Sequence, residues 1–352
     1  MSDGPRPRQA VLDMAPYSPP TAGRAGKLRL DFNENTVGCS PRVLKALRDR
    51  LTAGQLAVYP EYGEAKAIVA DFFGVPRENL LFTNGTDEAI QVLINTYVDD
   101  GGEVLLLRPS YAMYRFYADV AGAAVREIPY REGGLAFPLE ELLAAAGSQT
   151  RAILIANPNN PTGTAISIQG IERILDCAPA AAVLIDEAYF EFCGITALPL
   201  VAARANLFVS RTFSKVYGMA AMRVGCLMSQ ACNVAFLRKA QSPYSVNALA
   251  TLAASVAVQD RDYVASYVAE ALAAREMLCR GLERLGIGYY PSQGNFILAK
   301  IGPRAIEIRD RLREKSVLVR DRSYEIAGAV RITAGTREQT GLLLEELEKL
   351  WR

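Results

Sequence analysis

A chain of 352 residues, 50% of them hydrophobic, is long enough to bury one large core with a smaller domain attached. Its 39 basic and 38 acidic residues leave a formal charge of +1, and no basic run or arginine–aromatic stripe marks a nucleic-acid footprint, so no polyanion partner is expected. The absence of histidine removes Ser-His-Asp triads, HExxH zinc sites and imidazole acid–base catalysis, which leaves Lys, Tyr, Asp, Glu or Cys to move protons.

The first 25 residues are rich in Pro, Gly and Arg without an apolar core of signal-peptide length, and the longest apolar run, near 180–185, is too short for a bilayer. A cytoplasmic protein with no membrane partner is expected. From about residue 60 to 240, short apolar runs at 80–83, 103–107, 151–156, 181–185 and 207–210 alternate with helix-period segments. That alternation predicts an α/β fold, a mostly parallel sheet with helices on both faces. A long helix predicted over 246–285, free of Pro and Gly until Gly281, leads into an α+β part with strands at 295–298 and 329–333 and a closing amphipathic helix at 339–351. The expected organisation is an N-terminal arm (1–30), a large domain (31–245) and a small C-terminal domain (246–352). Cys39, Cys177, Cys193, Cys226, Cys232 and Cys279 show no CxxC spacing, so neither a metal site nor a compact disulfide framework is expected.

Each apolar run ends in a polar or Gly-rich motif, and in an open α/β sheet such ends converge on one crevice. Asn84-Gly85-Thr86-Asp87-Glu88 offers free N–H groups at a helix start, which bind phosphate, unless Asn84 or Thr86 simply caps the helix. In Arg108-Pro109-Ser110-Tyr111 the tyrosine is either a stacking platform or a core aromatic. Asn159-Asn160-Pro161-Thr162-Gly163 reads as a site wall or as a turn. Asp186, closing its run, is either a helix cap or the partner of a buried cation such as a protonated pyridine nitrogen; Tyr189 reaches the same ring or only packs.

The most informative window is Ser210-Arg211-Thr212-Phe213-Ser214-Lys215-Val216-Tyr217-Gly218, with Arg223 eight residues beyond the lysine. A lysine becomes a nucleophile toward carbonyls when burial or a nearby cation lowers its pKa, whereas Thr212, Ser214 and Arg223 suit a phosphate dianion. An aldehyde carrying a phosphate satisfies both; a solvated loop lysine is the alternative. Arg331, in the 329–333 strand, is either an anion clamp or an edge charge. Arg320 poses the same question, with Asp321 beside it offering a surface ion pair of little energetic weight.

Taken together, these windows resemble the fold-type I pyridoxal-phosphate enzymes, specifically the class I/II aminotransferases, across essentially the whole chain. Within that family the chain is most similar to the histidinol-phosphate aminotransferases, through Asp31-Phe32-Asn33-Glu34-Asn35, Val58-Tyr59-Pro60, Pro109-Ser110-Tyr111-Ala112-Met113-Tyr114, residues 159–163 and Arg331-Ile332-Thr333-Ala334-Gly335-Thr336. The resemblance implies pyridoxal 5'-phosphate linked to Lys215, which once displaced serves as the base. Asp186 would pair with the pyridine nitrogen, Asn160 and Tyr189 would bond the ring's phenolic oxygen, and Tyr111 would stack on the ring. The cofactor phosphate would be held by the amides of Thr86 and Asp87, by Thr212, Ser214 and Arg223, and by the partner subunit's Tyr59 in a homodimer. On the substrate side it implies Arg331 and Arg320 as anion-binding arginines, Tyr17 closing over substrate, and Asn35 near that opening.

The implied reaction is transamination of L-histidinol phosphate with 2-oxoglutarate. Its rivals are an aromatic or broad-specificity aminotransferase and then a threonine-phosphate decarboxylase; a non-enzymatic cofactor sensor is disfavoured because no helix-turn-helix or basic segment is appended. One departure stands out. The family continues Asn-Glu-Asn with Pro-Tyr-Gly, whereas Thr36-Val37-Gly38 follows here, which bears on the substrate lid and not on the cofactor.

Overall fold

The computed structural model describes residues 4–16 and 22–352. In chain order the strands are β1 (Leu28–Arg29), β2 (Leu80–Thr83), β3 (Glu103–Arg108), β4 (Ala124–Pro129), β5 (Thr150–Ala156), β6 (Ala182–Asp186) and β7 (Leu207–Thr212). They continue with β8 (Gly225–Met228), β9 (Tyr289–Tyr290), β10 (Phe296–Lys300), β11 (Val317–Leu318), β12 (Arg320–Asp321) and β13 (Ala329–Thr333). The five predicted runs are β2, β3, β5, β6 and β7, and with β4 and β8 they form a seven-stranded sheet of order β2-β8-β7-β6-β5-β3-β4. Neighbours are parallel except around β8, which runs antiparallel to both β7 and β2. The other six strands therefore share one direction, and the motifs that follow them leave at one edge.

Side chains alternate between two apolar cores along these strands. Ile153 and Ile155 of β5 join Val183, Ile185 and Val209 on one face, while Ala152 and Leu154 join Leu184 and Phe208 on the other. A strand apolar on both faces is what a helix-covered parallel sheet requires. The sequence pattern did not reveal β4, an edge strand with mostly exposed side chains, or the antiparallel β8.

The helix expected over 246–285 is two helices, Ala248–Ala257 and Arg261–Arg284. No Pro or Gly marks the break. Asp260 sits there with a buried carboxylate that accepts a short hydrogen bond from Ser40 Oγ and lies 3.7 Å from Arg42 Nε. The break lets Ala248–Ala257 pack on the helices Pro41–Arg50 and Gly63–Phe73, so its apolar face belongs to the large core. Leu278 and Leu282, further along the second helix, belong to the small one. We place the change of domain within Arg261–Arg284 on this packing.

The small domain carries an antiparallel sheet of order β12-β13-β10-β9, and β1 pairs in parallel with β11. Its closing helix, Arg337–Trp351, starts with a capping box in which Thr336 and Gln339 satisfy each other's backbone N–H groups. Leu30 is buried in this core; its N–H donates to the Leu318 carbonyl and its own carbonyl accepts from Thr333 N, each at 2.9 Å. Residues 28–38 thus form a strap from the small domain onto the large one. At the strap's end Gly218 (φ 67°) lies so close to Gly38 that a Cβ would overlap the Gly38 carbonyl. Among the described residues no helix is long and apolar enough to cross a membrane.

Candidate active site

A cavity of about 530 Å³ opens at the edge where β2, β3, β5, β6 and β7 end, and the small domain's arginines close its other side. Five cations line it, Lys215, Arg223, Arg320, Arg322 and Arg331, against three carboxylates, Glu34, Asp87 and Asp186. A concave site with that balance draws anionic ligands.

Lys215 follows β7 on a tight turn: Ser214 N donates to Thr212 Oγ1 at 3.1 Å, Gly218 N to the Lys215 carbonyl at 3.1 Å, and the flanking Phe213 and Val216 are fully buried. Phe213 and Val216 are thereby anchored in the core, and the lysine side chain lines the cavity. Its Nζ donates to the Phe32 carbonyl at 2.9 Å and stands 5.8 Å from the centre of the Tyr189 ring.

Asp186, the last residue of β6, forms the cavity floor. Its Oδ1 accepts from Ser210 Oγ at 2.8 Å and its Oδ2 from the Tyr114 hydroxyl at 2.9 Å. Burial pushes its pKa up to about 6, against the lowering effect of those two donors. The hydroxyls soften the burial of a charge, and no ion pair to this carboxylate exists among the described residues. Tyr114, buried beside it, is driven well above its ordinary range by burial and by the Asp186 charge. A protonated ring nitrogen is the kind of partner this carboxylate lacks.

Anion binding has its own corner. The helix Gly85–Tyr97 begins with no side chain capping its first N–H groups, while Glu88 Oε2 accepts from Asn84 N at 2.6 Å. Gly85 (φ 71°) leaves room for the Arg223 guanidinium, which a Cβ there would strike. Arg223 Nη2 lies 3.1 Å from Asp87 Oδ2, and Tyr111 donates to Asp87 Oδ1 at 2.8 Å. With the hydroxyls of Thr86, Thr212 and Ser214 on the same wall, this corner fits a phosphate.

Arg331 of β13 is buried, and its guanidinium donates to Asn160 Oδ1 and, at 2.6 Å, to the Asp31 carbonyl. Among the described residues its Nε has no hydrogen-bond partner and no carboxylate pairs with it, and burial followed by the nearby Arg322 lowers its pKa to about 10. A buried guanidinium that no described carboxylate neutralises is suited to binding an anion. Arg320 stands 5.5 Å from the Phe32 ring centre, and Asp321 turns away from it to accept from Ser323 N at 2.9 Å. The ion pair considered between Arg320 and Asp321 is not formed among the described contacts.

The cavity brings together Lys215, Asp186, Tyr189, Thr86, Asp87, Tyr111, Asn160, Thr212, Ser214, Arg223, Arg320 and Arg331. Two expected residues stand apart, and a third is not described. Asn35 is buried in the strap, donating to the Val216 carbonyl at 2.8 Å and accepting from Val37 N and Gly38 N, so it fastens the lysine loop and does not line the cavity. Tyr59 is 74% exposed and stacks on Tyr244 with ring centres 4.5 Å apart, outside the cavity. Tyr17 lies outside the described residues. Sequence reasoning missed Arg322, which is buried and held by Glu325 at 2.6 Å and the Tyr324 hydroxyl at 2.7 Å. Its signal was present in Arg320-Asp321-Arg322, where alternate residues of an extended segment share a face.

A family model described as aminotransferase class I and II matches residues 25–347. The histidinol-phosphate aminotransferase of Bacillus cytotoxicus is 36% identical over 331 residues, covering 92% of this chain and 88% of the relative. That of Geobacillus thermodenitrificans is 33% identical over 364 residues and covers 98% of both. In fold, the chain is similar to the crystal structure of histidinol-phosphate aminotransferase from Sinorhizobium meliloti in complex with pyridoxal-5'-phosphate, with a TM-score of 0.89, 24% identity and 99% of both chains covered.

Proposed function

Since the chain belongs to the class I and II aminotransferase family, we propose that it transfers the amino group of L-histidinol phosphate to 2-oxoglutarate with pyridoxal 5'-phosphate as cofactor. The products are imidazole-acetol phosphate and glutamate, which makes it an enzyme of histidine biosynthesis. One observation carries this reading: a pocket lysine, a buried carboxylate and a buried guanidinium surround one cavity, and among the described residues the last two have no ion-pair partner. Relatives 33–36% identical over nearly the whole chain carry the name of that substrate, which supports the choice among amines.

The cofactor, when bound, supplies an aldehyde that exchanges between lysine and substrate amine and a ring that draws electrons from the substrate carbon. Asp186 would keep a proton on the ring nitrogen, a pairing that its burial would strengthen. The uncapped amides at Thr86 and Asp87, with Thr212, Ser214 and Arg223, hold the cofactor phosphate. Asn160 and Tyr189 would bond the ring oxygen, and Tyr111 would lie against the ring. With the cofactor bound, Lys215 Nζ would be the base that takes up and hands back the proton of the substrate carbon. Arg331 would hold the substrate phosphate together with Arg320 in one half-reaction and, without Arg320, a carboxylate of the oxo acid in the other, in a ping-pong cycle.

A homodimer completes this site, with the partner subunit's Tyr59 reaching the cofactor phosphate. Exposure of Tyr59, Val58 and Leu56 side by side supports an interface there. We place the enzyme in the cytoplasm.

The test is a spectrophotometric titration of the purified, cofactor-loaded protein with L-histidinol phosphate and then 2-oxoglutarate. The visible cofactor band is expected to bleach and then return. A band that ignores L-histidinol phosphate but bleaches with an aromatic amino acid would keep the aminotransferase and discard the substrate.

A further inference from the structure

We propose that Asn33 is a positioning residue that aims the Tyr189 hydroxyl into the cavity and ties that aim to the small domain; this rests on the cofactor reading above. Asn33 is fully buried, and its Nδ2 donates to the Tyr189 hydroxyl oxygen at 3.0 Å. A phenol has one proton. When its oxygen accepts from a buried amide, that proton is left for another acceptor, and the open side of Tyr189 is the cavity it lines.

The orientation of the Asn33 amide is set from its other end. Thr333 Oγ1 accepts from Asn33 N at 3.0 Å and donates its own proton to Asn33 Oδ1 at 3.0 Å. The hydroxyl proton claims the amide oxygen, so the amide NH₂ faces Tyr189. The backbone is equally constrained: Asn33 has φ 55°, a left-handed conformation that asparagine tolerates well, and its carbonyl accepts from Asn295 Nδ2 at 3.3 Å. Thr333 belongs to β13 of the small domain, whereas Tyr189 follows β6 of the large one. One side chain therefore links the two domains at the residue that bonds the cofactor's phenolic oxygen.

The polarity of this bond makes the proposal testable. Aspartate at position 33 would keep the shape but could only accept, drawing the Tyr189 proton back toward the strap. Alanine would leave the phenol free to turn. In both cases the ring oxygen loses a donor, becomes more basic and holds the neighbouring proton to higher pH.

The experiment titrates the visible absorbance of the resting holoenzyme against pH, without substrate, for Asn33→Asp and Asn33→Ala in the natural and Tyr189→Phe backgrounds. In the natural background the midpoint is expected to rise by about one pH unit or more, a tenfold change in proton affinity, with Asp exceeding Ala. In the Tyr189→Phe background the same substitutions are expected to move it little. If Asn33→Asp fails to fold, as judged by circular dichroism, Asn33→Ala carries the same comparison. Midpoints unmoved in the natural background, or moved equally in both, overturn the proposal. A wild-type protein that gives no visible band with the cofactor overturns the functional reading, and this proposal with it.

Discussion

The guanidinium of Arg331, carried on the small sheet, donates to the side-chain oxygen of Asn160 in the turn that follows β5 of the large sheet. That bond commits the Asn160 side-chain oxygen, so on the proposed function its amide NH₂ would face the cofactor, and anion binding and cofactor orientation would share one residue. Arg331→Lys keeps the charge but cannot hold Asn160, the Asp31 carbonyl and an anion at once. The expected loss in kcat/KM is about 10–100-fold for both half-reactions, equivalent to one charge-assisted hydrogen bond, with the cofactor band still present. Stopped-flow measurement of each half-reaction checks it; a loss confined to one of them would mean that Arg331 serves only one substrate.

Arg320 separates the substrate readings. It has no carboxylate partner among the described ion pairs and lies over Phe32 at the cavity mouth, whereas Arg322 is already engaged by Glu325. Arg320→Ala is expected to weaken the reaction with the phosphorylated amine by about 10–100-fold while changing the glutamate half-reaction little. Equal effects on phosphorylated and unphosphorylated amines would favour a broad-specificity aminotransferase.

Much of this architecture was legible in the sequence because each parallel strand is a short run apolar on both faces that stops at a polar motif. Lys215, Asp186 and Thr86 could be placed for that reason alone. What escaped depends on residues brought together only by folding. The break at Asp260 is stabilised by Ser40, 220 residues away, and the Asp186 partners Tyr114 and Ser210 lie 72 and 24 residues off. β8 is only four residues long and follows Arg223 without a turn signature, so its antiparallel entry left no mark. Asn35 carries the family pattern, yet its side chain is used by the backbone of the lysine loop.

Asp186 couples function to stability. Its folded-state pKa of about 6 lies above the ordinary 3.8, so in the cofactor-free protein the stability linked to its proton is whole below pH 4 and is lost as pH rises through 6. Asp186→Asn removes that loss. The cofactor-free variant is expected to be more stable than wild type by about 1–3 kcal/mol at pH 7.5, with the gap closing toward pH 4. Glu191, pushed to about 7 by burial, titrates in both proteins and cancels in the comparison. The loaded variant is expected to lose about 100-fold or more in kcat, since nothing then holds the ring-nitrogen proton. Urea denaturation at the two pH values, set beside turnover, tests both halves; a variant no more stable at pH 7.5 would mean that Ser210 and Tyr114 already offset the buried charge.

Complementation tests whether Tyr59 acts across an interface. Lys215→Ala is expected to abolish turnover, because no other lysine among the described residues lines the cavity, and Tyr59→Ala to weaken cofactor retention through loss of one phosphate contact. If the partner subunit's Tyr59 completes each site, a dimer with one chain of each variant holds one site with both defects and one with neither. Unfolding and refolding an equal mixture should then restore about a quarter of the wild-type rate, since half of the dimers are mixed and each has one intact site of two. If Tyr59 served its own chain's site, every site in the mixture would keep one defect and no activity beyond that of the Tyr59→Ala parent would return. The exposed position of Tyr59, stacked on Tyr244 away from its own chain's cavity, is the reason to expect the first outcome.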